Sequence, residues 1–551
     1  METSQAMRWG STWLAARDGR WTRSDWAVVG LATLAVLARW GERARYLMSW
    51  DSHTFAIALT DYDVNGLHPH APGYPVYVAL GRLVFALLPD ANDAYILLSL
   101  LFTAASLALA YDLGRRLAGR AVALAAVVLL LASPLVFAHS VTANVYSADL
   151  LGSTAVAWLA WRTRHIPTSR NILALAAVFS LAVGVRPSLV FFLGPLVAWA
   201  ALRPPWVLRE QVRRLWKPVA AGIAIGLAWF LPMVQGSGGY ARWKRANDLQ
   251  SEVVFEHTAW QDGWTYVALN LDRLGLYLRW ELGWVLPALV LLLAALVVLR
   301  LRGPSRPAPP APKEGAIFLV LWAVPALLFY LTVYSGYANG PSGYTLILLP
   351  ASFLAAALMA KQAAGRLATP AVGAVLCVAA LGIASAGLLV NTGEVEDVRY
   401  EEHDAWMESW LGLPAAFPSS NSTLVTAYNF APLWYYFPSY DVFEYRPAGK
   451  AVGEVPDFLM IQHAKNGTAK PDWYDEIADH KTFGPNPLPN GTRHLVLFDF
   501  QLAGENGGTR AVKADIPVRE AFLPSGWRVL VVDTTPDRPL LEDYFTMEGA
   551  A

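Results

Sequence analysis

Three carboxylates and three imidazoles lie close together near the start of this chain. Ser49-Trp50-Asp51-Ser52-His53-Thr54-Phe55 is followed by Asp61, Asp63 and the proline-bounded run His68-Pro69-His70-Ala71-Pro72-Gly73-Tyr74-Pro75. A carboxylate held beside a hydroxyl acceptor can orient it or take its proton, and an imidazole can assist. Asp51 stands next to Trp50, a ring suited to a membrane–water boundary. Its alternative use is structural: Asp51, Ser52 and Thr54 all favour helix starts and could cap the helix that follows. Asp51 and Asp61 are also the pair that would hold a divalent ion such as Mg or Mn. Hard cations need several oxygens, however, and no dense ligand spacing accompanies them. The prolines and Gly73 set a rigid turn. His68 and His70 are expected on the surface of that turn, with His68 the better functional candidate.

The candidate cations come later. Arg186, in Gly184-Val185-Arg186-Pro187-Ser188, sits where proline breaks an apolar run, and its planar fork matches phosphate geometry. Its alternative is a side chain that reaches out to headgroups. Tyr240-Ala241-Arg242-Trp243-Lys244-Arg245 is a second basic patch, in which Lys244 and Arg245 could hold a phosphate or lie on anionic headgroups. Upstream, the turn from His139 to Tyr146 offers Asn144 and Tyr146 to a substrate. Asp149 follows inside an apolar run, where an ionisable residue is costly and functional by default, or else hydrogen-bonds a neighbouring helix. Arg39 and Glu42 can pair on one helix face, or the arginine can face a phosphate. Tyr344 opens a late apolar run ending at Pro350.

The elements that must position these groups are membrane helices. Of 551 residues, 55% are hydrophobic and 16% charged, with a mean hydropathy of +0.34. Soluble domains carry about 25% charge. Basic and acidic residues balance at 43 each, so no bulk attraction to nucleic acid is implied. Cys377 is the one cysteine, which excludes an intramolecular disulfide and a cysteine metal cluster. Apolar runs near the roughly 20 residues needed to cross a bilayer are expected at 26–48, 94–111, 121–137, 145–161, 171–185, 189–201, 218–234, 282–301, 316–334, 344–360 and 370–389, about eleven spans. Residues 74–88 are apolar but short, and read as an interfacial or re-entrant helix. Arginine and lysine recur in every second loop, which puts the N-terminus on the cytoplasmic side and the Asp51 loop and C-terminus on the other. From residue 392 onward, strand-like runs at 424–426, 494–498 and 527–532 alternate with helical and turn-rich segments, giving an expected soluble α/β domain over 392–551. Asn421, Asn466 and Asn490 head sequons, which chance also produces.

The stretch from Trp50 to Tyr77 resembles the first outer loop of GT-C glycosyltransferases, in particular protein O-mannosyltransferase relatives whose loop reads HPPGYP. The resemblance implies a mainly α GT-C bundle in residues 1–391, with its catalytic loop at 49–93. It implies transfer of a sugar from a polyprenyl-phosphate carrier to a glycan, protein or lipid acceptor outside the cytoplasm. Asp51 would be the base or orienting carboxylate, His68 the motif histidine, and Arg186, Lys244, Arg245 and Tyr344 donor-phosphate contacts. His53, Asp61, Asn144 and Tyr146 would meet substrate. Two departures stand out: Asn144 replaces an acid in the family's acid-Val-Tyr, and the arginine before Tyr344 is absent. No cofactor is required, beyond the optional divalent ion. A transporter or lipid flippase, or an inactive GT-C-like scaffold, is the alternative; polar residues clustered at the outer helix ends, rather than mid-span, disfavour transport.

Overall fold

The structure is a computed structural model that describes residues 21–203, 207–255, 257–282, 313–333, 342–364, 400–427, 430–446, 457–462, 487–505 and 510–546. The expected spans at 282–301 and 370–389, Cys377 and Asn466 lie outside these, apart from Leu282 itself.

The chain divides by packing into two compact units. The first comprises Met1–Arg43, Tyr74–Pro232 and Ser251–Tyr400, and the second Ala44–Gly73, Met233–Gln250 and Glu401–Ala551. The boundaries expected from the sequence were 1–391 and 392–551; packing instead groups part of the Asp51 loop with the C-terminal residues.

In the first unit, helix length follows the breakers. Thr22 and Asp25 form a capping box that starts Arg23–Ala38, after which the chain tightens into a 3₁₀ turn at Arg39–Glu42. Arg39 is buried and donates to Ser140 Oγ at 3.0 Å and the Leu131 carbonyl at 2.8 Å, over the Phe137 ring. Its role is therefore to tie helices together. Three described helices are long and apolar enough to cross a bilayer: Ala91–Ala118, Leu208–Gly236 and Lys313–Thr332. The single span expected at 121–137 is instead two helices, Arg120–Ala132 and Pro134–Val141, bent by 59°. Pro134 has no N–H to continue the ladder, and Ser133 caps the new start by accepting from Val136 N. Ser169–Val185 and Leu189–Ala201 are shorter apolar helices, separated by Arg186-Pro187-Ser188. The run expected at 344–360 begins with a 3₁₀ turn, Ser342–Ile347, before the helix Leu349–Ala364. Two of the eleven expected spans lie outside the described residues, and of the others the one at 121–137 is divided at Pro134. The short apolar segment expected at 74–88 is the helix Pro75–Phe85. A core of Leu113, Val156, Trp161, Phe192, Leu196, Phe318, Trp322 and Leu354 joins these helices.

The second unit is built on a six-stranded mixed sheet in the order β3-β2-β1-β4-β6-β5. Its strands are β1 Ser422–Thr426, β2 Asp441–Arg446, β3 Asp457–Gln462, β4 His494–Leu497, β5 Arg519–Phe522 and β6 Arg528–Asp533. β1 pairs in parallel with β2 and β4, and the outer pairings are antiparallel. Side chains alternate as the pleat demands. Leu424, Val442, Val496, Val529 and Val531 face one core; Val425, Phe443, Leu495, Leu497, Leu530 and Val532 face another, with Leu541, Tyr544 and Phe545. The first core also takes in Trp410, Trp434 and Phe437 from the domain's helices and Leu67 from the early loop, with Trp50 and Ile57 packed beside it. Burying these apolar residues is what joins the loop to the sheet. The fold has an α-helical part with apolar spans and a small α/β part, the class expected.

Candidate functional site

In the second unit, the Asp51 loop is organised by backbone bonds and one helix cap. Ser49 caps the helix Trp50–Ala58: its hydroxyl accepts from Ser52 N, and the Ser52 hydroxyl accepts from Ser49 N. The cap is therefore serine. Asp51, in the first turn, is left without that duty, and its side chain is 31% exposed. The loop start is tied down by Asp404, whose carboxylate accepts from Arg45 N at 2.7 Å and Tyr46 N at 3.0 Å. Leu47 N donates to Tyr436 Oη. Burial raises the Asp404 pKa above the ordinary carboxylate value, against the pull of those two N–H groups.

The three histidines of the loop take different positions. His53 is buried, with Nδ1 2.7 Å from the Ser49 carbonyl and its ring edge-on to Tyr435 and Tyr436. Burial pushes its pKa down to about 3, so it is neutral near pH 7. His68 is also buried. Its Nδ1 lies 2.5 Å from the Asp61 carbonyl, its ring meets Trp434 edge-on, and its backbone pairs with Asp63. His70 is the one that meets Asp51, with Nδ1 3.7 Å from Oδ1. Its ring is flanked by Trp50 at 5.4 Å and Phe55 at 5.9 Å. Both His68 and His70 were expected on the loop surface, with His68 the better candidate; packing buries both, and His70 is the one set beside Asp51.

Asp61 is exposed, its carboxylate 3.8 Å from His68 Nδ1, and Asp63 accepts from Asn65 N. No group of three or more His, Cys, Asp or Glu side chains suited to a metal comes together among the described residues. Asp51 and Asp61 thus gather no third carboxylate or imidazole among the described residues to help hold a divalent ion. Gly73, at φ +113°, permits the turn; a Cβ there would press on Tyr62 Oη and Val64. Trp243 reaches the same turn, its Nε1 donating to the Pro72 carbonyl at 3.4 Å. Lys244, on the helix Tyr240–Phe255, is exposed and pairs with Asp248 one turn on; Arg245 is half-buried on that helix.

The first unit holds the other candidates. Arg186 ends the helix Ser169–Val185 and is nearly enclosed. Its Nε lies 2.6 Å from Asp149 Oδ2, and its guanidinium sits over the rings of Tyr74, Tyr146 and Tyr344 at 5.7, 5.2 and 5.4 Å. Rings at such distances attract a cation strongly once water is excluded. Arg186, Asp149, Tyr146 and Tyr344, singled out separately in the sequence, are here one cluster. Tyr74 was missed as a member: it was read only as part of the turn. Gly343 lets Tyr344 approach, because a Cβ there would run into the Tyr146 ring. Asn144 serves its own turn, donating to Thr142 Oγ1 and accepting from Tyr146 N at 3.1 Å.

The profile of the dolichyl-phosphate-mannose-protein mannosyltransferase family matches residues 68–235. A search of curated protein sequences finds no match. Among solved structures, ArnT from Cupriavidus metallidurans bound to undecaprenyl phosphate is 15% identical, with a TM-score of 0.53 over 94% of this chain and 99% of that one. The Archaeoglobus fulgidus oligosaccharyltransferase tethered to an acceptor peptide is 11% identical, with a TM-score of 0.42 over 94% of this chain and 75% of that one. The likeness to ArnT establishes the fold. With the family match, it supports a membrane glycosyltransferase in general terms.

Proposed function

We propose, from the premise that this chain has the GT-C fold, that it moves a sugar from a polyprenyl-phosphate carrier to an acceptor outside the cytoplasm. The observation that carries this reading is Asp51: a part-exposed carboxylate on the first turn of a helix whose cap is supplied by another residue. In the reaction the acceptor oxygen bonds to the anomeric carbon as the bond from that carbon to the phosphate oxygen breaks, with inversion. The electron pair leaves on the carrier phosphate, already stable as an anion, so no acid need protonate it. Asp51 takes the acceptor's proton or orients its hydroxyl.

Arg186 would read the carrier phosphate from its tyrosine cage, where exclusion of water strengthens each charge-assisted contact. Tyr344 and Tyr146 hold that cage; Lys244 and Arg245 are the competing cradle. The N-terminus would be cytoplasmic and the Asp51 loop and C-terminus on the far side. A reporter active only in the cytoplasm, fused at residue 551, should stay silent.

The decisive experiment offers the protein in nanodiscs a panel of undecaprenyl-phosphate-linked mannose, glucose, galactose and arabinose together with an envelope extract containing glycan, protein and lipid acceptors, and measures release of undecaprenyl phosphate. At least one should be turned over by the wild type and by no Asp51→Asn preparation. Equal turnover by both would sink the assignment of Asp51, and no turnover of any donor would sink the donor class.

A further inference from the structure

We infer that His70, rather than the more deeply buried His68, is the positioning residue for the Asp51 carboxylate; this rests on the glycosyl-transfer reading above. Four observations within the second unit carry it. Asp51 does not cap its helix, so no backbone N–H at the helix start fixes its carboxylate. His70 Nδ1 is the atom that faces Oδ1, at 3.7 Å. That gap is longer than a hydrogen bond but short enough to close on binding, since catalytic contacts are often loose before substrate arrives.

The third observation is how the imidazole is held. Its ring lies against Trp50 and Phe55, which flank Asp51 on the same helix, Phe55 being one turn on from Asp51. Those two rings help to set the ring plane, and in it Nδ1 faces the carboxylate. The fourth is the contrast with His68. That ring directs Nδ1 to the Asp61 backbone, 2.5 Å away, and is 2% exposed against Trp434. His68 closes the loop on itself. His70 is the histidine spent on a carboxylate that remains open to an acceptor.

A carboxylate that must meet a hydroxyl along one direction gains from such a partner. Misplacement of a catalytic group by about 1 Å can cost roughly a hundredfold. The test uses the full-length protein in nanodiscs, with the panel donor that the wild type turns over best. Three quantities are measured for His70→Ala and His70→Asn: turnover, affinity for undecaprenyl phosphate, and melting temperature. His70→Ala should lower turnover roughly tenfold to a hundredfold, with carrier affinity and melting near wild type. His70→Asn, whose amide N–H occupies the position of Nδ1, should recover part of the loss. Turnover near wild type in His70→Ala, alongside a dead Asp51→Asn, overturns the positioning role and leaves Asp51 in place. A fall in melting temperature that accounts for the lost turnover, with no rescue by Asn, also overturns it and makes His70 structural. If Asp51→Asn itself turns over donor normally, the failure lies with the proposed function instead.

Discussion

Two clusters in this molecule handle charge in opposite ways. Around Arg186 a cation and a carboxylate are closed in together, with three tyrosine rings on the guanidinium and Asp149 on its edge. Around Asp51 the carboxylate stays part exposed and its partner imidazole sits more than 3.5 Å away. A buried pair is costly to break from one side, because the survivor is left as an uncompensated charge. An open carboxylate is cheap to alter for folding and costly for chemistry. The lesson is that the same kind of variant should report on stability in one cluster and on turnover in the other.

The largest effect expected is therefore kinetic. Asp51→Asn should lower turnover by about 10²–10⁴-fold, the range for loss of a general base, while melting stays at the wild-type value. Parallel loss of melting temperature would erase the contrast with Arg186. Next comes the buried pair. Arg186→Leu should cost about 3–5 kcal/mol by stranding Asp149, visible as a large drop in thermal stability in detergent. The double variant Arg186→Leu with Asp149→Leu should recover much of that stability and still bind undecaprenyl phosphate roughly tenfold to a hundredfold more weakly. Recovery of affinity along with stability would mean that the pair is structural only and the phosphate binds elsewhere, Lys244 and Arg245 being first to examine.

His53 sharpens the comparison through pH. Its folded pKa, about 3, lies below the ordinary histidine value of about 6.5, so the unfolded chain binds the proton more readily. Stability is complete above about pH 6.5 and falls as the pH drops toward 3, by about 2 kcal/mol at pH 5. Melting scans at pH 7.5 and 5 should show this loss in the wild type and a smaller one in His53→Gln. Equal losses in both would assign the acid sensitivity to another group. The smallest effect expected is at Asp404. Asp404→Asn keeps one acceptor oxygen but turns the other into a donating NH2, losing one of the bonds from Arg45 N and Tyr46 N, and should cost about 1 kcal/mol of unfolding free energy in a denaturant titration. A much larger cost would mean that the start of the loop carries more of the unit's stability than two hydrogen bonds explain.

Much of the candidate site was visible one residue at a time. Arg186 and Asp149 each stand out because a polar group in or beside an apolar run must have a reason to be there; Asp51 and Tyr344 stand out through the family resemblance. What could not be read was which of them share a cluster. Asp149 and Arg186 are 37 positions apart, and Tyr74 and Tyr344 belong to distant segments; only the packing of helices brings their rings to one guanidinium. The histidines show the same limit at shorter range. His68 and His70 are two residues apart in a proline-rich turn, and nothing local says which ring points to a backbone carbonyl and which to a carboxylate.

By itself, the sequence determined the apolar, membrane character and the strand-like runs at 424–426, 494–498 and 527–532, which follow from composition and period, local properties of a chain in water or lipid; the GT-C resemblance came from the residues of one loop. The tertiary structure alone decided that residues 44–73 pack with the C-terminal sheet. It did so because Leu67, Trp50 and Ile57 are too few to bury themselves in their own loop and find the apolar face of that sheet instead. Ser49 taking the cap left Asp51 to chemistry, and the same packing set His70 beside it.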